Sequence, residues 1–149
     1  MARTTEEARD LVAVAEESGS LLAVGHVERF NPAVMAVERM GIRPLFIDSQ
    51  RISPFPSRST DVGVVLDLLI HDLDIILWLV DRPIERLDAL GVGVLGELED
   101  IANVRIAFEG GIVANATASR VSLKRERKIR MFGDDCYVSL DYETRRAKL

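Results

Sequence analysis

Four ionisable residues, Asp67, His71, Asp72 and Asp74, interrupt the longest apolar run of the chain, Gly63 to Asp81 (GVVLDLLIHDLDIILWLVD). An uninterrupted run of that length would be a candidate membrane span, which needs about 20 apolar residues. Charges at its centre would each be costly in lipid, so the run is expected to form a buried or half-buried helix of a soluble protein. At about 100° per residue, Asp67, His71, Asp74 and Trp78 have the spacing i, i+4, i+7 and i+11 and fall on one stripe, while Asp72 points elsewhere. A helix otherwise made of Val, Leu and Ile has no packing reason to carry two carboxylates and an imidazole on one stripe. Burying them without partners would be unfavourable. A conflict of this kind between local patterning and burial is expected where a chain carries function.

The rest of the composition narrows the class. With 149 residues, 48% of them hydrophobic, the chain can build one domain with a real core but not comfortably two. A net charge of -5 argues against nucleic acid or an anionic membrane as the main partner. The single cysteine, Cys136, forbids an internal disulfide and fits a reducing compartment. The start, MARTTEEARD, lacks the apolar centre of a signal peptide, and a cytoplasmic protein is expected.

Along the chain, Thr4 and Glu7 have capping-box spacing and introduce an amphipathic helix that ends near Gly19. Leu21 to Val24 reads as a buried strand, so the chain opens as a helix and strand that would normally belong to a parallel sheet. Asn31-Pro32 supplies an N-cap and a first-turn proline for a short helix closed by Gly41. A strand follows over Leu45 to Ile52, then a Pro/Ser-rich connection, then the central helix, which Asp81-Arg82-Pro83 stops. Five further stretches read as strands of an antiparallel meander: 84–94, 100–108, 112–120, 128–132 and 136–141. Gly110-Gly111 and Gly133-Asp134-Asp135 serve as hairpin connections. Ile112, Ala114, Ala116 and Ala118 share a small-featured face suited to close approach of a helix or a second sheet.

Three segments carry a resemblance: GHVERFNPAV (Gly25 to Val34), RISPFPSRSTDVGVVLDLLIHDLDII (Arg51 to Ile76) and the strand-rich tail. Together they resemble the glucose-fructose oxidoreductase / inositol dehydrogenase / MocA family of NAD(P)-dependent sugar dehydrogenases. The wording looks most like the branch that oxidises the 3-hydroxyl of UDP-N-acetylglucosamine. The resemblance covers essentially the whole chain. It implies an α+β fold, a mostly antiparallel open-faced sheet packed on the central helix, preceded by the last helix and strand of a truncated Rossmann domain. On this reading residues 1–30 are the remnant of the nucleotide-binding domain, and residues 31–149 are the substrate-binding and dimerisation domain. The family's G-x-G-x-x-G turn and the catalytic lysine of its Glu-Lys-Pro motif are expected outside the chain. NAD or NADP would therefore serve the full-length enzyme and not bind here, and the chain alone would be inactive. Its end, ETRRAKL, would stop short of the family's final strand and helix.

The resemblance implies that His71 is the general base or proton relay on the sugar hydroxyl, with Asp67 contacting the substrate. Spacing supports this on its own terms, since a carboxylate at i, i+4 can orient an imidazole that exchanges protons near neutral pH. A self-satisfied His-Asp pair is the structural alternative. A metal site is another, but three ligands on adjacent turns of one helix converge poorly, and no metal is expected. Asp74 is read as a supporting partner one turn on, and Asp72 as a capping or inter-element hydrogen-bonder. Glu28, Phe30 and Asn31 would line the pocket, although Asn31 also has its capping task and Phe30 suits a core. Arg51 and Ser53 lie where a family strand delivers contacts to substrate, and Arg58 lies in the loop over it. With a nucleotide sugar, Arg51 and Arg58 would match the diphosphate, unless they are ordinary surface arginines. In the basic run Arg120 to Arg130, Lys124 or Arg125 would reach the pocket from an otherwise solvated strand face. His26 is read as structural, and Trp78 and Cys136 as core. The partners expected are a sugar or nucleotide sugar and a second copy meeting through the sheet. The alternative function is a non-catalytic self-association module, supported by the small face of Ile112 to Ala118.

Overall fold

In the computed structural model, which describes residue 2 and residues 4–55 and 61–149, a seven-stranded sheet carries the apolar core on one face. Arg58 lies outside the described residues. The strands are β1 (Phe46–Ile52), β2 (Ile84–Val92), β3 (Ile101–Phe108), β4 (Val113–Ser119), β5 (Glu126–Phe132), β6 (Tyr137–Asp141) and β7 (Arg146–Lys148). Their order is β2-β3-β4-β1-β5-β6-β7, and every neighbouring pair is antiparallel except β1 with β4. The mostly antiparallel open sheet is as expected, but the simple meander is not. β1 inserts between β4 and β5, so that Phe46 lies opposite both Val113 and Phe132. Alternation along a strand fixes which residues face inward and says nothing about its neighbours, which is why the insertion was hidden.

The inward rows are Ile47, Ser49 and Arg51 on β1, the Ala102 to Phe108 row on β3, Ala114, Ala116 and Ala118 on β4, and Ile129 and Met131 on β5, all buried. Helix α3 (Ile70–Val80) buries Ile75, Ile76 and Val80 against this face. The three alanines of β4 let the helix and the turn before it approach closely. That turn, Val65–Leu69, is wider than an α-helical one, with the Ile70 N–H reaching Val65 O five residues back. One extra residue in a turn rotates the rest of the helix by about 100°, so the stripe drawn for a regular helix is broken within this segment. Asp72, set apart from the stripe and expected to hydrogen-bond between elements, is 1% exposed and faces the sheet, where it meets Arg51.

Helix α1 (Thr5–Ser18) forms as its caps require: the Glu7 N–H donates to Thr4 Oγ1 and the Thr4 N–H to Glu7 Oε2, and Gly19 closes it at φ 64°. None of its residues is buried. Leu21 to Val24, expected to be a buried strand, joins no sheet, and Leu21 is 97% exposed. A strand needs a neighbour's N–H and C=O groups along its edge, and the seven strands of the described sheet are elsewhere. Helix α2 (Pro32–Arg39) is capped by Asn31, whose Oδ1 accepts the Ala33 N–H at 3.1 Å. Cys136, read as core, is only half-buried. No helix among the described residues is long and apolar enough to cross a membrane.

Asp100 and Arg120 tie the sheet to the start of the central helix. Arg120 Nε donates to Asp100 Oδ1 at 2.6 Å and Arg120 Nη1 to Val62 O at 2.6 Å, with both side chains buried. The other carboxylate oxygen, Oδ2, accepts the N–H groups of Val94 and Leu95 at 2.8 and 2.7 Å. Those amides belong to the run Gly91-Val92-Gly93-Val94-Leu95-Gly96, which does have G-x-G-x-x-G spacing, contrary to the expectation that none occurs here. It is not a dinucleotide turn, because it joins antiparallel β2 and β3 and opens no helix. Its amides already hold an anion, the chain's own Asp100. The Leu95 N–H, Arg120 and the Val94 N–H hold that carboxyl well below the usual carboxylate range. A depressed folded-state value means that the stabilisation is complete above about pH 4 and is lost as the pH falls below it. Urea midpoints followed from pH 6 downward are therefore expected to fall for the wild type and to fall less steeply for Asp100→Asn. Parallel curves would refute this role.

Candidate functional site in the cleft at the ends of β1 and β4

The parallel pair β1 and β4 ends at one edge of the sheet, and β5 begins there. The pairing runs on past the strands, with the Ser53 N–H on Ser119 O at 2.8 Å and the Ser122 N–H on Ser53 O at 3.0 Å. Carboxyl ends of neighbouring parallel strands are where open sheets with helices over them leave a crevice. A cleft of about 440 Å³ opens at this edge, between the wide turn with His71 and the ends of the strands. Its helix wall carries Asp67 and His71, and its sheet wall carries Arg51, Ser53, Arg125 and Arg127.

Three arginines occupy inward positions on the three adjacent chains of this edge: Arg120 just after β4, Arg51 on β1 and Arg127 on β5, the last directly opposite Arg51. Like charges directly opposite on paired strands are unfavourable unless anions separate them. Arg120 has Asp100. Arg51 is held by both oxygens of Asp72, Nε to Oδ2 at 3.0 Å and Nη2 to Oδ1 at 2.8 Å, and its Nη1 lies 3.3 Å from Glu28 Oε1. Its guanidinium also lies over the Tyr142 ring, 5.0 Å from the centroid. Burial alone would lower the Arg51 pKa, but Asp72 outweighs it and keeps the group charged. Arg127 is half-buried, and its side chain has no hydrogen bond or ion pair among the described residues.

His71 is half-buried, and its Nδ1 is buried with no hydrogen-bond partner among the described residues. Burial, then the charges of Arg51 and His26, hold its pKa below the ordinary value, with Asp72 and Glu28 pulling the other way. The imidazole is thus neutral at neutral pH and able to accept a proton. Asp67 borders the same cleft but makes no hydrogen bond to the ring, so it does not orient His71 as its spacing suggested. The ring stands edge-on to His26, 6.1 Å between centroids.

The remaining expected residues divide. Glu28, Arg51, Ser53 and Arg125 reach the cleft with Asp67 and His71. Asp74 does not line it; Arg29 binds both its oxygens at 2.8 and 2.6 Å and stacks over Trp78, tying the short turn Val27–Phe30 to α3. Asn31 is a structural cap, donating from Nδ2 to Tyr142 O at 3.2 Å and to Glu28. Phe30 is 77% exposed and is not a core residue, and it does not line this cleft. The basic run is not one solvated strand, because Arg120 is buried, residues 121–125 form a loop and only 126–132 pair. Among the described residues no three His, Cys, Asp or Glu side chains converge to hold a metal ion.

Two residues escaped the sequence reading. Arg127 sits two positions before buried Ile129 and four before buried Met131, so the alternation of β5 already put a cation on the inward face. Tyr142, 4% exposed, lies in a turn without periodicity, where no pattern announced it.

The description "GFO/IDH/MocA C-terminal domain" belongs to a family model that matches residues 43–139. The chain is 37% identical over 139 residues to UDP-N-acetylglucosamine 3-dehydrogenase of Acidithiobacillus ferrooxidans (strain ATCC 23270), which aligns with 93% of this chain and 44% of that protein. A solved structure of UDP-N-acetylglucosamine 3-dehydrogenase GnnA from Acidithiobacillus ferrooxidans superposes with a TM-score of 0.87 at 35% identity, covering 97% of this chain and 48% of that one. The WlbA dehydrogenase from Bordetella pertussis, solved with NADH and UDP-GlcNAcA, shares the fold at a TM-score of 0.83 and 20% identity, over 94% of this chain and 46% of that one. The chain thus spans less than half the length of these relatives.

Proposed function

Because this chain belongs to the GFO/IDH/MocA C-terminal domain family, we propose that it is the substrate-binding part of an NAD(P)-dependent oxidoreductase acting on a secondary hydroxyl of a nucleotide sugar, with UDP-N-acetylglucosamine the first candidate. The observation that carries this reading is His71, an imidazole kept neutral and bordering a cleft that also holds Asp67 and a row of arginines. In this reading His71 takes the proton of the hydroxyl being oxidised, and Asp67 accepts hydrogen bonds from neighbouring sugar hydroxyls. Ser53 and Arg125 contact the substrate, and Arg58 is expected to join them. Glu28, Asn31 and Asp74 act through others, holding Arg51, the turn before α2 and the approach to α3.

A nicotinamide dinucleotide, the hydride acceptor of such an oxidation, does not fit the described residues. The G-x-G-x-x-G run at residues 91–96 has its amides on Asp100 and opens no helix. The cofactor is therefore assigned to other residues of a complete gene product, and these 149 residues alone are expected neither to bind NAD at micromolar concentration nor to turn over. In the complete product, UDP-N-acetylglucosamine and NAD are expected to yield reduced nicotinamide, read by its ultraviolet absorbance. No reduction with any nucleotide sugar would refute the reading, and calorimetry of NAD on this chain tests the second expectation.

We place the protein in the cytoplasm and propose self-association through the open face of the sheet, where Phe46, Phe132 and Tyr137 stack with centroids 5.9 and 5.0 Å apart. A purely non-catalytic module loses its particular support, because the alanine face of β4 is covered by the chain's own helix.

A further inference from the structure

We propose that Arg127 is the anchor for the phosphate groups of the substrate, a role that rests on the reading of the cleft as a nucleotide-sugar site. Of the three inward arginines at this edge, two have carboxylates inside the protein and the third has none among the described residues. Arg120 is met by Asp100, and Arg51 by Asp72 and Glu28. Arg127, directly across the strand pair from Arg51, faces the same cleft, and no described residue takes its donors. A half-buried guanidinium next to another cation is unfavourable until an anion arrives, and its planar pair of N–H groups matches two oxygens of one phosphate.

The saturation of Arg51 sharpens the assignment. A phosphate at Arg51 would have to compete with Asp72, a bidentate carboxylate 1% exposed, and with Glu28 at Nη1. Arg127 needs no such exchange. Arg125 stands at the rim, exposed and 3.9 Å from Glu143, free to add a weaker second contact. The two walls of the cleft therefore differ, with Asp67 and His71 on the helix and the cation Arg127 on the sheet. That difference orients a molecule with hydroxyls at one end and phosphates at the other, and it places the sugar at His71.

The test titrates this chain with UDP-N-acetylglucosamine, UDP and N-acetylglucosamine, following NMR shifts at low and high salt. Arg127→Gln is expected to weaken both phosphate-bearing ligands by about 10-fold or more, the usual scale of a charged hydrogen bond. Uncharged sugar should bind equally to both proteins, and Arg127→Lys should recover part of the loss because it restores charge without the fork. Salt should weaken wild-type binding more than that of the Gln variant. Equal affinity of wild type and Arg127→Gln for UDP would overturn the assignment, as would absence of UDP binding to the wild type at millimolar concentration. Unchanged thermal midpoints show that the variants fold. If UDP binds through Arg127 but the complete product reduces no nicotinamide, the dehydrogenase reading fails and the anchor stands. If turnover is intact in Arg127→Gln with unchanged KM for the nucleotide sugar, the anchor fails and the dehydrogenase reading stands.

Discussion

Replacing His71 with alanine in the complete gene product is expected to lower turnover by about 10²- to 10⁴-fold, the range over which a positioned general base contributes. The loss should appear in kcat, with substrate affinity changed much less, because the phosphates and the other hydroxyls keep their partners. The pH profile gives a second readout. Burial, then the neighbouring charge of Arg51 and the proximity of His26, depress the imidazole pKa, so the neutral, proton-accepting form persists below pH 6.5. The acidic limb of kcat/KM is therefore expected below the value of a free imidazole, and it should disappear in His71→Ala. The same depression makes the ring a small source of acid lability: its contribution to stability is complete above pH 6.5 and is lost as the pH falls. Near-normal turnover in the alanine variant would remove His71 from the chemistry.

Arg51→Met is expected to destabilise the chain by about 3–5 kcal/mol, the cost of removing one partner of a buried ion pair. Asp72, 1% exposed, would keep its charge with no cation against it, and Glu28 would lose its main contact. The strand in the middle of the sheet and the first turn of α3 are joined through that pair, so the loss is expected to be global and not local. Exchanging both partners, Arg51→Met with Asp72→Leu, should recover much of the stability, since an apolar pair of similar volume often does as well as a buried ion pair. Urea denaturation measures both variants. A loss below about 1 kcal/mol for the single variant, the range of a surface ion pair, would show that Arg51 is not the tie described.

Much of this was legible in the chain because local rules acted locally. Thr4 and Glu7 predicted the start of α1, Asn31-Pro32 that of α2, and the alternation of Ala102 to Phe108 the buried face of β3. His71 and Asp67, which both border the cleft, stand out in the chain because ionisable groups in an apolar run conflict with burial. The rest failed for identifiable reasons. The wide turn Val65–Leu69 leaves no trace in residue types, so the stripe follows a regular helix, and Asp72, rightly set apart as a hydrogen-bonder between elements, gave no hint that Arg51 was its partner. Leu21 to Val24 has the composition of a strand but no neighbour in the described sheet, and composition cannot supply one. In the run Arg120 to Arg130 all the cations look alike. Only register separates Arg120, sealed on Asp100, from Arg127, open to the cleft.

The insertion of β1 between β4 and β5 also bears on how the chain assembles. Hairpins such as β3–β4 and β5–β6 need only short loops to close, and their ends meet early. β1 leaves the ribosome before either of its neighbours and must wait for both, because Phe46 pairs with Val113 on one side and Phe132 on the other. Such non-local pairing carries a large loop-closure cost and slows folding. Until it is complete, β4 and β5 each present a bare edge, and the cleft does not exist, because Arg51 reaches it only on β1. Formation of the site is thereby coupled to the least local joining of the sheet, so that a chain with a finished cleft is one whose inner edges on β4 and β5 are already closed.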